Sequence, residues 1–299
     1  MADTRLKKAS RFGDGRGKQR KERAAQALFA VAASASVLAV ALICLFLFVS
    51  GVPPMLKIGV LDFLTGQKWK PASDIYGVLP MILGSLYVTA GAMAVGVPPG
   101  ILTAVYLSRF AKPKTVKLLK PAVSLLAGVP SVVYGFFGLI VLVPAIRTLF
   151  GGSGSSILAA GVLLGMMVLP TVISLSEAAL NAVPASYYEG ALALGATHER
   201  AVFRVLLPAA GSGVTASIVL AIGRAIGEAM AVMMVAGNQA RMPAGILKGV
   251  RTLTSNIALE MGYAADLHRG ALIATGVVLF VFILTINLLL SAIKRRANK

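Results

Sequence analysis

The sequence predicts an all-α, polytopic membrane protein with about six transmembrane helices, and three observations carry that expectation. Mean hydropathy is +0.83. Only 13% of the 299 residues are charged, against about 25% in a typical soluble domain. Six apolar runs, at 28–50, 79–107, 121–146, 157–180, 209–236 and 270–293, each reach the roughly 20 residues needed to cross a hydrocarbon core. The second and third runs are long enough to tilt, kink or extend beyond the bilayer.

The arm ahead of the first run carries Arg5, Lys7, Lys8, Arg11, Arg16, Lys18, Arg20, Lys21 and Arg23. Its Lys, Arg and Gly content predicts that residues 1–27 are unstructured and that the transmembrane domain covers 28–295. The first run is expected to remain as a helix, because its apolar core is too long for a cleavable signal and no convincing small-x-small site interrupts it before Gly51. Its lone Cys44 offers neither a disulfide nor a metal site. The loop from Gly51 to Val78 contains Pro53-Pro54 and Trp69, and Trp69 suits either an interfacial seat or a cap over a vestibule.

Gly84, Gly91, Gly96 and Gly100 in the second run let helices approach closely, while Pro98-Pro99 should bend or break that helix. The next loop holds Arg109, Lys112, Lys114, Lys117 and Lys120 with no acidic residue among them. The third run reads Gly128-Val-Pro130-Ser131-Val-Val-Tyr134-Gly135-Phe-Phe-Gly138. That pattern fits a broken helix whose free amides line a cavity, or a proline kink packed among neighbours. Beyond the fifth run, Gly237–Gly270 is too polar to cross and predicts a loop with a short helix around Leu253–Met261.

Basic residues concentrate in the arm, in the 109–120 loop and in the tail Lys294, Arg295, Arg296 and Lys299. The remaining loops hold fewer. Positive charge retained inside therefore places both termini in the cytoplasm. The net charge of +18 is then a topology signal and an attraction to anionic membrane lipid. Nucleic-acid binding is a poor alternative, because no soluble domain presents such a surface. His198 and His268 fall on opposite sides of this topology and cannot share a metal, so no metal site is expected, nor any catalytic constellation.

Between the fourth and fifth runs lies Glu189-Gly190-Ala191-Leu-Ala-Leu-Gly195-Ala-Thr-His-Glu-Arg200, continuing through Arg204 to Leu207-Pro208. Apolar and charged residues alternate as in two short amphipathic helices, with Gly195 permitting a bend and Pro208 opening the next helix. This stretch, 187–208, faces the cytoplasm in the same topology. It is either a docking surface for something outside the bilayer or a helix lying on the headgroups. In the fifth run, Arg224 and Glu228 are four residues apart and share a helical face. Charges at this depth cost about 2.5–3.5 kcal/mol each. They form either a structural ion pair or a passage in which Arg224, a planar fork suited to oxyanions, is oriented by Glu228.

Glu189, Gly190, Ala191, Gly195 and Leu207-Pro208 resemble the cytoplasmic "EAA" loop of permeases in ATP-binding-cassette importers. Gly190 departs from it, standing where the pattern has alanine. The resemblance implies the type I importer permease fold, and it implies that 187–208 couples the chain to a separate ATPase. That fits the lack of any Gly-x-x-x-x-Gly-Lys-Ser/Thr sequence here. The chain would then be a transport subunit rather than an enzyme, binding no cofactor itself, with ATP and Mg held by partners. Pro130-Ser131-Val-Val-Tyr134-Gly135, Gly223-Arg-Ala-Ile-Gly-Glu228-Ala-Met-Ala-Val and Ala236-Gly237-Asn238 look like the permeases of phosphate-specific importers. The Met-Ala-Val continuation and Arg251-Thr-Leu-Thr-Ser-Asn-Ile-Ala-Leu-Glu260-Met are similar to their C-type subunit.

The likeness covers roughly 28–295. It implies transport roles for Arg224 and Glu228, with Ser131 and Tyr134 as further candidates along the substrate path. It also implies a related A-type permease, two ATP-binding subunits, an extracytoplasmic phosphate-binding protein and a prokaryotic inner membrane. Rival readings are a permease for sulfate or molybdate, a gradient-driven secondary carrier and a structural scaffold.

Overall fold

The computed structural model describes residues 15–297. The expected unstructured arm falls partly outside them, at 1–14, as does Lys299. From Gly15 the arm is already helical, because α1 runs unbroken over Gly15–Ile58 with Pro53 and Pro54 inside it. The chain divides into two units, Met1–Val49 and Ser50–Lys299. In the first, the side chains from 25 to 43 are all exposed, an apolar surface suited to lipid or to another membrane chain.

The second unit follows in order as α2 (Val60–Thr65), β1 (Trp69–Lys70), β2 (Ile75–Tyr76), α3 (Leu79–Val105), α4 (Pro113–Gly128), α5 (Ser131–Phe137), α6 (Val143–Phe150) and α7 (Ile157–Asn181). After these come α8 (Ala185–Ala193), α9 (His198–Ala201), α10 (Leu207–Ala209), α11 (Gly211–Gly227), α12 (Met230–Val235), α13 (Leu253–Glu260) and α14 (Asp266–Ala297). Wider π turns at Tyr106–Phe110, Gly138–Leu142 and Val202–Leu206 follow α3, join α5 to α6, and join α9 to α10. Five helical stretches among the described residues are long and apolar enough to span. A sixth is reached if the bent pair His198–Ala209 and Gly211–Gly227 counts as one.

The centre of the unit is the parallel contact of α3 with α7. Gly91 lies against Gly161, and a Cβ at Gly96 would come within 2.7 Å of the Gly165 carbonyl oxygen and of Val168. Small residues bring the two backbones together, and Val88, Ala92, Leu163, Leu164, Met167, Val168 and Val172 fill the seam. This contact explains why Pro98 and Pro99, expected to bend or break the second run, do not break it and lie inside a continuous α3. Neighbouring helices hold the chain on course where proline removes hydrogen bonds.

The third and fifth runs are broken, each for a different reason. Pro130 supplies no amide, so the carbonyl of Leu126, four residues back, loses its helical donor. The Tyr134 hydroxyl donates to that oxygen at 2.9 Å from the far side of the break. The spanning piece is therefore Ser131–Phe150, and α4 becomes a separate surface helix with no buried residue. In the fifth run α11 stops at Gly227 and Glu228 is extended. The expected single helix across Arg224 and Glu228 is thus corrected to two pieces, and the two charges do not share a helical face.

The polar segment after α12 does contain the expected short helix, but α13 is largely buried rather than a surface feature. Leu253, Thr254, Ser255, Asn256 and Glu260 are all enclosed. Its N-terminus is held by a reciprocal Thr252–Ser255 capping box and by Ser85 of α3, whose hydroxyl accepts from the Leu253 amide at 3.0 Å. The α3–α7 contact yields a stability test. Gly96→Ala should lower the thermal stability of the purified protein by about 1–3 kcal/mol through overpacking. Gly128→Ala, where a Cβ meets nothing within 4 Å, should be neutral or slightly stabilising.

Candidate functional site

Two groups of sequence-predicted residues occupy different parts of the molecule, the Glu189–Pro208 hairpin and the breaks in the third and fifth runs. In the hairpin, α8 ends in a Schellman turn. The Gly195 amide donates to the Leu192 carbonyl at 2.9 Å, and the Ala196 amide to the Ala191 carbonyl at 3.1 Å. Gly195 holds φ at +82°, a value glycine adopts without the steric cost borne by other residues. Thr197 then caps α9, its hydroxyl accepting from the Arg200 amide at 3.3 Å. Glu189 and Gly190 are exposed on α8, and Gly190 leaves the helix intact.

The second limb of the hairpin is anchored. Val202, Leu206 and Ala210 are buried against Ala104 and Val105 of α3, Leu180 of α7 and Val214 of α11. Tyr188 and His198 share a 2.8 Å hydrogen bond between the two limbs. The His198 ring meets Phe110 edge-on at 4.6 Å. The outer surface is left apolar, with Tyr187, Leu192 and Phe203 exposed and Leu194 91% exposed. Leu207 is half-buried and Pro208 exposed, at the turn into α11.

The second group gathers where α5 packs on α12. A Cβ at Gly135 would approach the Met234 sulfur to 2.7 Å, and one at Gly138 would approach Val235 equally closely. The two interrupted spans therefore lie side by side. Ser131 opens α5 half-exposed, and Tyr134 is within electrostatic reach of Arg224. Glu228 is turned the other way along the chain. Its Oε1 accepts from the Ala231 amide at 3.1 Å, so the carboxylate neutralises the amide end of α12. Its carbonyl accepts from the Thr254 hydroxyl at 3.0 Å.

Arg224 pairs with no described carboxylate. Its Nη1 instead donates to the Thr171 hydroxyl of α7 at 3.1 Å. A structural Arg224–Glu228 ion pair is therefore not formed, and Glu228 does not orient Arg224. A half-buried guanidinium in a spanning stretch without a counter-charge is energetically costly, and such groups line pathways or cavities.

Sequence reasoning missed two clusters. One centres on Glu260, which accepts from Trp69 Nε1 at 2.8 Å and from Arg251, with His268 Nε2 at 2.8 Å. Trp69 is thus buried in a polar hub rather than laid open on the surface. Its ring meets Tyr76 edge-on at 5.4 Å, and Arg251 also donates to the Asn238 carbonyl and to Asn256. The hub ties the β1–β2 hairpin, α13 and the start of α14 together. The 251–260–268 spacing of Arg, Glu and His was the available signal, but Trp69 lies 191 residues from Glu260. In the other cluster Lys120 of α4 reaches Glu177 of α7 at 2.6 Å. Among the described residues no three His, Cys, Asp or Glu side chains converge as metal ligands would.

Helices of spanning length, a seated polar hairpin between two of them and a spanning-stretch arginine with no described counter-charge define the class as a membrane transport subunit. The family described as "Binding-protein-dependent transport system inner membrane component" matches residues 96–299. The chain belongs to this family of ATP-binding-cassette importer permeases of the type I kind, multi-pass proteins of the inner membrane. It is 40% identical to the probable ABC transporter permease YqgH of Bacillus subtilis, over 89% of this chain and 87% of that protein. It is 33% identical to the phosphate transport system permease PstC of Mesorhizobium japonicum, over 78% of this chain and 77% of the relative. Among solved structures, the permease fold recurs in a bacterial alginate ABC transporter (TM-score 0.65, 16% identity, 95% of this chain and 98% of that one). It recurs also in the MetNI methionine transporter in an inward-facing form (TM-score 0.55, 22% identity, 75% and 95%).

The Glu260 hub carries a pH signature. Burial raises the carboxyl pKa, but hydrogen bonds with Trp69, His268 and Arg251 outweigh it and hold the group below its ordinary 4.5. A depressed carboxylate contributes stability fully present above the unfolded value and lost as pH falls through the folded one. Glu260→Gln should therefore cost about 3 kcal/mol at pH 7. In thermal unfolding of purified protein, the gap to wild type should narrow once the pH drops below about 4.5.

Proposed function

We propose that this chain is the permease subunit through which inorganic phosphate enters the cell, driven by ATP hydrolysis on separate subunits. One observation supports the anion most directly: Arg224 is a membrane-depth cation with no described counter-charge, beside two interrupted helices. A conduit needs an attraction strong enough to admit its cargo and weak enough to release it, and one half-exposed guanidinium fits that requirement. Its planar donors match paired oxygens of an oxyanion. Phosphate is favoured among oxyanions by the likeness to permeases named for phosphate transport.

In this reading the basic bias of the loops places both termini and the 187–208 hairpin in the cytoplasm. The exposed Tyr187, Leu192, Leu194 and Phe203, with Glu189, Gly190, Ala191 and Gly195 around them, form the surface that an ATP-binding subunit grips. Two such subunits, carrying ATP and Mg, a related A-type permease and an extracytoplasmic phosphate-binding protein complete the machine. Closure of the ATPases moves the hairpin. Val202 and Leu206 carry that motion into α3, α7 and α11 through the buried seat, and phosphate passes Arg224, Ser131 and Tyr134 as the spans rock.

Radiolabelled uptake by the reconstituted complex tests this. Wild type should take up phosphate only with ATP, and excess sulfate or molybdate should not compete. Arg224→Gln should reduce uptake by about tenfold or more, the value of a charged hydrogen bond. Glu189→Lys should lower uptake by weakening ATPase attachment. Competition by sulfate would reassign the cargo, and ATP-independent uptake would reject the coupling.

A further inference from the structure

Helices α7 and α11 run antiparallel and are stitched by two polar contacts. Ser176 and Ser217 share a 2.9 Å hydrogen bond, and both are fully buried. About one and a half turns along α7, Thr171 accepts from Arg224 at 3.1 Å, and here both residues are half-exposed. The first contact is enclosed by protein and serves packing. The second is only partly enclosed, which leaves the guanidinium and the hydroxyl reachable from one side.

The chemistry of the Thr171 contact is specific. A hydroxyl has two acceptor lone pairs and one donor hydrogen. Accepting from the guanidinium uses one lone pair and leaves the O–H free to donate in another direction. Arginine has four side-chain torsions and loses about 2 kcal/mol of rotamer entropy when fixed. With Glu228 committed to the Ala231 amide, Thr171 is the described side chain that holds the guanidinium. Thr171 is itself well fixed. It follows Pro170 within α7, and its neighbours Val172 and Ile173 are buried.

We infer that Thr171 is a positioning residue for anion passage: it fixes the Arg224 guanidinium across the α7–α11 seam and presents its own O–H beside it to the same oxyanion. The inference rests on the proposed role of Arg224. A preorganised donor costs less to order when the ion arrives, so losing Thr171 should weaken apparent affinity more than maximal rate. The α7–α11 seam then does two jobs at neighbouring levels, closed at Ser176 and open at Thr171.

The assay is initial-rate uptake of radiolabelled phosphate by the complete reconstituted transporter, with apparent KM and maximal rate measured separately. Thr171→Val keeps the shape and removes the hydroxyl, and should raise KM roughly tenfold with maximal rate changed less than threefold. Thr171→Ser restores the acceptor and should bring KM back to within about threefold of wild type. Ser176→Ala should lower thermal stability and leave KM in place. An unchanged KM in Thr171→Val, with Arg224→Gln still defective, would overturn the positioning role and spare the anion pathway. Full uptake by Arg224→Gln would reject that pathway and this inference with it. A KM defect in Thr171→Val that serine does not repair would also overturn it, since shape and not the hydroxyl would then be responsible.

Discussion

The burial of Val202 and Leu206 against α3, α7 and α11 is the contact on which the rest of the structure depends. A polar hairpin joined to two spans by loose chain would move independently of them. Here both side chains are fully enclosed, so the second limb of the hairpin is anchored in α3, α7 and α11. Removing a fully buried leucine side chain typically costs 2–5 kcal/mol, enough to hold the unit together against substantial load. Val202 and Leu206 themselves bound a π turn, and a second π turn, Tyr106–Phe110, follows the seat residue Val105 of α3. Each widens the helix by a residue, and Phe110, at the end of one, meets both the hairpin's His198 and Phe203 of the other.

Interrupted helices pose a second constraint, because a backbone group left unpaired in hydrocarbon is costly. Each break is repaired locally. Tyr134 donates to the Leu126 carbonyl, the Glu228 carboxylate receives the Ala231 amide, and Thr254 donates to the Glu228 carbonyl. One of these repairs engages the Glu228 carboxylate, the acidic group nearest to Arg224 in sequence. Its only described side-chain partner is a threonine, which satisfies a donor and leaves the charge unbalanced. The same arrangement that stabilises the breaks therefore leaves a cation available beside them.

Much of the architecture was legible in the sequence, and the failures have physical causes. Hydropathy found α3, α7 and α14, and the Glu189–Pro208 pattern gave the hairpin with its bend at Gly195. Pro130 marked a break because a missing amide is a local fact. The break at Glu228 was invisible, since it depends on a carboxylate folding back on its own chain and on Thr254 from a distant segment. Pro98-Pro99 allowed a bend or a break by local chemistry, and α3 is not broken there, held by the glycine contacts with α7. The Glu260 hub stayed hidden because its members are brought together only by the fold. Thr171 had no signal of its own, being one hydroxyl in an apolar run.

The central claim is that force enters through the hairpin's buried seat. Leu206→Ala loosens that seat without touching the exposed docking face, and the decisive measurement is phosphate transported per ATP hydrolysed by the assembled, reconstituted complex. The account predicts ATP hydrolysis close to wild type with transport per ATP reduced at least severalfold. An unchanged transport ratio in a complex with the seat demonstrably loosened would contradict it.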